Sequence, residues 1–332
     1  MRLSILDQAP ISSNQSAGDA LIESMKLAQA AEELGYIRYW IAEHHDLPGL
    51  ACSAPEVMLG FIGANTNRIR IGSGAVLLPH YKPYKVAEVY NMLATLFPGR
   101  IDVGIGRAPG GSAEATNALS DNFLQRVWNM PNSVKDLLYF LDNKIPPEHP
   151  HAKVSASPIP TVAPIPWLLG TSKKSALLAA ENGLSYAFGQ FMSDQDGIEI
   201  IKQYRNHFKP RKHDQVPEVI VTISAICAET TEKAEDVALS SLVWGLQRER
   251  GEGQKGVPSI QEAKEYLHNE REDLFEEMRQ GMIIGNPQEV AQSIQELQDK
   301  YNADEIMIVT ITHSQLDRIQ SYKLIAEQIL NS

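Results

Sequence analysis

The stretch WIAEHHDLPG (40–49) places Glu43, His44 and His45 at the end of a short β-branched and aromatic run, just before Pro48 and Gly49 break the chain. Three uses suit such a trio: holding a metal, moving a proton, or hydrogen-bonded packing. Adjacent residues on an extended segment point to opposite faces, so one ion cannot readily draw on both histidines. No HExxH motif or Cys/His cluster supplies the missing ligands, and HPH at 149–151 lies in a proline-rich stretch with no obvious third ligand. Imidazole titrates nearest neutral pH, so proton transfer or a polar contact by one histidine is the leading reading. Packing at the strand end stays open beside it.

Two further patterns carry chemistry. In IRIGSGAVLL (69–78), Gly72 and Gly74 share a face at period two, and Gly104 and Gly106 do the same in RIDVGIG (100–106). Glycine weakens a strand and commonly marks a close approach, so these neighbouring strands are expected to offer a smooth patch able to receive something flat. Tight packing of barrel corners is the competing explanation. GIGRAPGG imitates a dinucleotide fingerprint, but Pro109 replaces its third glycine and the run follows the fourth strand, so that reading fails. For an anion there are two candidates. Arg107 leaves the fourth strand beside the glycines, and GTSKKS (170–175), with Gly170, Thr171, Ser172 and Ser175, turns from a strand into a helix start whose free N–H groups suit a phosphate. Helix capping alone also accounts for Thr171 or Ser172. Together the patch, the arginine and the helix start suggest a phosphorylated planar cofactor.

These residues need a scaffold that brings strand ends together. Strand candidates fall at 2–7, 37–42, 69–78, 100–106, 165–170, 184–189, 219–227 and 304–310, with helical patterns between them. In the first helical stretch Ser16 and Asp19 resemble a capping box, Leu21, Met25, Ala28 and Leu34 keep one face apolar, and Gly35 ends the helix. Eight strands with interposed helices predict an α/β fold, a (β/α)8 TIM barrel in one domain spanning 1–332; an open doubly wound sheet is the alternative. Its working face is the carboxyl end of the strands, where Glu43, His44 and His45 follow the second strand and Asp7 and Gln8 the first. Residues 143–166 form a long proline-rich loop, and the charged, glycine-rich stretch 245–285 reads as a late insertion.

Composition narrows the partners. With 30 Lys and Arg against 41 Asp and Glu among 332 residues, the formal charge of −11 disfavours nucleic acid and anionic lipid. Cys52 and Cys227 lie far apart, as in a reducing compartment, and the start of the chain has neither a membrane span nor a signal-peptide pattern. A cytoplasmic protein is expected.

AEHH (42–45), the block from Arg70 to Arg107, and LLGTSKKSA (168–176) resemble the bacterial luciferase-like monooxygenase family, over nearly the whole chain. The resemblance implies a barrel that binds FMN or a deazaflavin. It implies that His44 is the active-site histidine near the flavin edge, that a non-prolyl cis peptide joins Gly74 and Ala75 beneath the ring, and that Arg107, Gly170, Thr171, Ser172 and Ser175 surround the phosphate. Gly106 stands where bacterial luciferase carries its reactive cysteine, so neither light emission nor a fatty-aldehyde site is expected. The expected activity is oxygenation of a small organic substrate with O2, using FMN reduced by a separate flavin reductase. A deazaflavin-dependent hydride transfer and a flavin-binding protein without catalysis are the rivals. Segments 107–131 and 245–285 are candidate lids, and PEVMLGFIGA (55–64) and PYKVAEVYNMLATLF (83–97) are apolar around much of their circumference, which suits a homodimer. Trp167, Phe188, Phe191 and Trp244 are candidate pocket residues, each with barrel packing as its competing role.

Overall fold

In the computed structural model, which describes residues 1–268 and 279–330, the chain alternates strands and helices from its first residues. β1 (Leu3–Asp7), α1 (Ala17–Glu33), β2 (Arg38–Ile41) and α2 (Pro55–Ala64) come first, followed by β3 (Arg70–Ser73), β4 (Val76–Leu77) and α3 (Pro83–Leu96). β5 (Ile101–Gly106) leads into three helices, α4 (Ala113–Leu119), α5 (Phe123–Trp128) and α6 (Met130–Leu141). β6 (Ile165–Gly170), α7 (Lys173–Glu181), β7 (Ser185–Gly189), α8 (Gly197–His207), β8 (Val219–Cys227) and α9 (Thr231–Glu249) continue the alternation. The chain then runs through α10 (Ile260–Leu267), β9 (Met282–Gly285), α11 (Pro287–Tyr301), β10 (Glu305–Val309) and α12 (Gln315–Leu330).

Every strand pairing is parallel, and β10 pairs with both β1 and β8, which closes the ring. β3 and β4 share one barrel position beside β5, so eight positions form the barrel, as the spacing predicts. The open-sheet alternative is ruled out. β9 lies outside the ring, pairing Met282–Gly285 with Ser224–Cys227 of β8. It is the one strand among the described residues that the sequence reading does not anticipate.

The pleat sends alternate side chains to two separate cores. Outward residues such as Ile5, Tyr39, Ile71 and Val103 pack under the helices. Inward residues Leu6, Trp40, Trp167, Ala187, Ile220, Met307 and Val309 fill the barrel. Arg38 sits below them, bonded to Asp102 and Glu305 at 2.7 Å each, its guanidinium 4.7 Å from the Trp167 ring. A buried cation held by two carboxylates and stacked on indole plugs the floor of the barrel.

α1 starts on the expected Ser16–Asp19 capping box and ends before Gly35, which has a positive φ. Its buried face differs from the expected one. Ala20, Ser24, Leu27, Ala28 and Ala31 are buried, while Leu21, Met25 and Leu34 flank them at partial exposure. Close approach to the barrel selects the small residues for the centre of the contact.

The late insertion is also differently bounded. Residues 245–249 belong to α9, and 282–285 form β9; residues 269–278 of the expected insertion lie outside the described residues. Val257 bridges Ile11 and Ser13, its amide donating to Ile11 O (2.8 Å) and its carbonyl accepting from Ser13 (2.9 Å), so this segment is tied over the loop after β1. The 107–131 segment holds two short helices, α4 and α5, and the first two residues of α6. The proline-rich stretch is loop as expected, with a cis Ser157–Pro158 bond, and is tethered to α3 by Asn91 Nδ2 donating to Ala156 O at 2.7 Å.

Candidate active site at the barrel mouth

Glu43 and His45 form a hydrogen-bonded pair. The Glu43 carboxylate is fully buried and accepts from Tyr81 Oη (2.7 Å) and the Leu77 amide (3.1 Å), and it lies 2.8 Å from His45 Nε2. His45 in turn donates its amide to Gly110 O at 2.8 Å. This pair clasps the loops after β2, β4 and β5 together, and is a structural tie.

His44 faces the other way, as alternation on an extended segment requires. It lines a cavity of about 760 Å³ at the carboxyl end of the barrel, with Gln8, Phe191, Trp244, Arg248 and Val309 among its walls. Its Nδ1 is buried and has no hydrogen-bond partner among the described residues. Burial, helped by electrostatic repulsion from Arg248 and His45, lowers its pKa to about 4, so the ring is neutral at physiological pH. A neutral imidazole with an unused nitrogen can accept or hand over a proton. Among the described residues no three His, Cys, Asp or Glu side chains converge as metal ligands. His149 of HPH is bonded instead to Asp136 (3.2 Å) and to the His151 amide (3.1 Å).

A second cavity, about 490 Å³, opens where β5 and β6 end, between Arg107, Lys174, Ser175, Leu169, Trp128 and Met130. Arg107 is exposed. At the start of α7, Ser172 and Ser175 form a reciprocal capping box, and the Ser175 hydroxyl also meets Ser172 O (2.7 Å) and Tyr186 Oη (3.0 Å). Gly170 permits this fold-back, because a Cβ there would lie 2.3 Å from Ser175 Oγ. Burial pushes the Tyr186 phenol up to about 12, against the lowering effect of its bond to Ser175. Ser172 and Ser175 are therefore engaged in capping. The Thr171 hydroxyl and the amides of Lys173 and Lys174 make no hydrogen bond among the described residues. They leave an anion site of one arginine, one lysine and three free donors.

The glycine stripe requires a correction. All four glycines face the barrel interior, but the space each Cβ would take is already filled. At Gly72 it would lie 2.8 Å from the Trp40 ring, at Gly74 2.4 Å from Leu6, at Gly104 2.0 Å from Ser73 O, and at Gly106 2.9 Å from Ala75. Close packing around Trp40 explains most of the pattern. Of the four only Gly74 keeps part of its surface open, and the bond from Gly74 to Ala75 is cis. The smooth patch shrinks to this one step of backbone.

The aromatic candidates divide. Trp167 and Phe188 are core residues at 1% and 0% exposure. Phe191 and Trp244 line the mouth cavity, as does Arg248, which the sequence reading missed. Its signal was present: Trp244 and Arg248 are four apart on α9, the spacing at which a guanidinium reaches a ring, here 4.8 Å from its centroid. Asp7 is turned outward and bonded to Arg318 Nη2 at 2.5 Å and to the Ala9 amide at 2.7 Å, which makes it structural.

A closed parallel barrel with a half-buried imidazole, its Nδ1 unpartnered, and an anion-ready corner at its carboxyl mouth defines a barrel with the layout of an enzyme. Residues 1–301 match the family model of luciferase-like monooxygenases, and the chain belongs to that family. It is 42% identical to the uncharacterised protein YceB of Bacillus subtilis, covering 99% of this chain and 100% of that one. It is 36% identical to the N-acetyl-S-alkylcysteine monooxygenase of the same organism, covering 99% and 98%. The crystal structure of apo-MsnO8 superposes with a TM-score of 0.90 at 33% identity, covering 98% and 97%. Two solved chains share the fold at lower identity. One is the oxygenating constituent of 3,6-diketocamphane monooxygenase of Pseudomonas putida in complex with FMN (18%, TM-score 0.72, covering 100% and 98%). The other is an F420-dependent secondary alcohol dehydrogenase with an F420–acetone adduct (15%, TM-score 0.70, covering 99% and 98%). Among the described residues no helix is long and apolar enough to cross a membrane.

Proposed function

We propose that this chain is an FMN-dependent monooxygenase of a small organic substrate, served by a separate flavin reductase. Reduced FMN supplies the two electrons that divide O2, one oxygen atom entering the substrate and the other leaving as water. The observation that carries the reading is the pairing, on one barrel face, of His44's buried unpartnered Nδ1 with the cationic corner at Arg107 and α7. The donor set fits a phosphate: Arg107 and Lys174 provide charge, while the Thr171 hydroxyl and the free amides of α7 provide hydrogen bonds at the positive end of the helix. Gly170, Ser172 and Ser175 hold that helix start in shape. The backbone step from Gly74, which is partly open, to the buried Ala75 supports the ring, His44 holds or moves a proton at Nδ1, and Phe191 and Trp244 exclude water. The relative named for N-acetyl-S-alkylcysteine supports a small organic substrate, and the fold neighbour in complex with FMN supports that cofactor over deazaflavin among oxygenating members.

Val57, Phe61, Met92 and Leu96 project an apolar surface from α2 and α3, with Val57 67% and Leu96 62% exposed. Such a patch supports a homodimer. Two buried free cysteines, Cys52 and Cys227, with thiols pushed up to about 12 by burial, support a reducing, cytoplasmic setting.

The deciding experiment supplies the chain with FMN, a flavin reductase and 18O2, together with a panel of small thioethers and ketones. One labelled oxygen per product molecule is expected, and His44→Ala should slow turnover by roughly 100-fold while FMN affinity stays within a few fold. Hydride transfer from a reduced deazaflavin without oxygen, and no labelled product, overturns the reading.

A further inference from the structure

Arg248 is the cation lining the mouth cavity that flavin binding leaves unused. It is held in place rather than left loose: its stem lies on the turn after α9, where a Cβ on Gly253 would come within 2.6 Å of Arg248 Cγ, and its guanidinium lies 4.8 Å from the Trp244 ring centroid. No carboxylate pairs with it among the described residues. Glu249 also lines the cavity but makes no ion pair with Arg248, and the charge felt at His44 is that of Arg248 and His45. Arg248 keeps part of its side chain in solvent, and its guanidinium, stacked on Trp244 and without a counter-ion, is free to take an anion from the cavity.

A second observation marks the same wall. Trp244 is 2% exposed, lines the cavity, and carries an Nε1–H with no acceptor among the described residues. A buried indole donor normally finds a partner. Cation and orphan donor sit one helical turn apart on α9, while Phe191, Val309 and Ile311 form an apolar wall of the same cavity with His44 at its edge.

We propose that the substrate is a small carboxylate, its carboxyl group anchored by the Arg248 guanidinium and the Trp244 Nε1–H, and its apolar part laid along Phe191, Val309 and Ile311 toward His44. This rests on the reading of the mouth cavity as the substrate compartment, and it goes further by fixing the substrate's charge. The geometry separates two anion sites: Arg107 and α7 for the cofactor phosphate, Arg248 for the substrate. A pocket wall with a fixed cation favours the carboxylate over an uncharged analogue, because only the carboxylate makes the charge-assisted bond to the guanidinium.

The test uses three matched pairs of ligands, phenylacetate, 4-phenylbutyrate and N-acetyl-S-benzylcysteine, each against its own primary amide. Each is titrated calorimetrically into the full chain with and without FMN. At least one carboxylate should bind about 10-fold or more tightly than its amide, the factor set by one charge-assisted bond. In Arg248→Met the preference should fall to about twofold or less, Arg248→Lys should restore part of it, and FMN affinity should be the same in all three proteins. Equal binding of acid and amide in every pair, no binding by any of the acids, or a preference that survives Arg248→Met overturns the proposal. A wild-type chain that takes up no FMN but keeps the carboxylate preference sinks the flavin reading and leaves the anchor standing.

Discussion

His44 gives the sharpest quantitative prediction. Burial, with Arg248 and His45 nearby, lowers its pKa from 6.5 to about 4 in the folded chain. The unfolded chain has no such environment and its His44 titrates near the ordinary value. Because the folded pKa is the lower one, the unfolded state takes up this proton first as pH falls. His44 therefore withdraws stability between about pH 6.5 and pH 4, and above that window its effect is constant. The gap corresponds to roughly 3 kcal/mol at the bottom of the window. His44→Gln keeps a polar side chain of similar reach but cannot take up the proton. Guanidinium chloride unfolding of both proteins, at steps from pH 7.5 to pH 4, isolates the effect, because every other titrating group is common to the two. The difference in unfolding free energy should move in favour of the variant by roughly 2–3 kcal/mol across the window. Parallel stability curves would show that His44 titrates normally, and the case for a neutral imidazole at the mouth would fail with it.

Other outcomes follow from single residues. Arg107→Ala should weaken FMN by roughly 2 kcal/mol, about 30-fold, measured by quenching of flavin fluorescence; unchanged affinity removes Arg107 from the phosphate site. Gly104→Ala should cost at least about 1–3 kcal/mol in thermal or chemical unfolding, because its Cβ would lie 2.0 Å from Ser73 O, whereas Gly60→Ala, in α2 with nothing within 4 Å, should be neutral or stabilise by up to ~1 kcal/mol. Replacing Met92 and Leu96 together by Glu should convert a dimer to monomer in analytical ultracentrifugation without loss of helicity; a wild-type monomer would refute the assembly.

The barrel was legible because its signal is repeated. Eight short apolar runs spaced by helical patterns leave little room for another architecture, and the Ser16–Asp19 capping box announces its helix in four letters. What escaped depends on contacts between distant segments. Spacing put Gly72, Gly74, Gly104 and Gly106 on the inner face, but only Trp40, Leu6 and Ser73 O decide whether that face is open, and they close most of it. Composition marked Glu43 and His45 as chemical candidates as readily as His44. The Tyr81 hydroxyl and the Leu77 amide, 38 and 34 residues away, turn Glu43 into a tie. α1 shows the same limit: periodicity found the helix, and the closeness of the barrel chose Ala28 and Ala31 over Met25 for its centre. β9 is four residues long and adds to β8 outside the ring, so no period betrays it.

The central claim is that one cofactor spans this mouth, its charged tail at Arg107 and its ring at Gly74, Ala75 and His44. The most direct measurement is a calorimetric titration of the chain with FMN and with F420, each oxidised and reduced, alongside Arg107→Ala. The account predicts saturable binding of reduced FMN at one site per chain, weakened in the variant. Retention of neither cofactor in either redox state, or binding indifferent to Arg107, would contradict it.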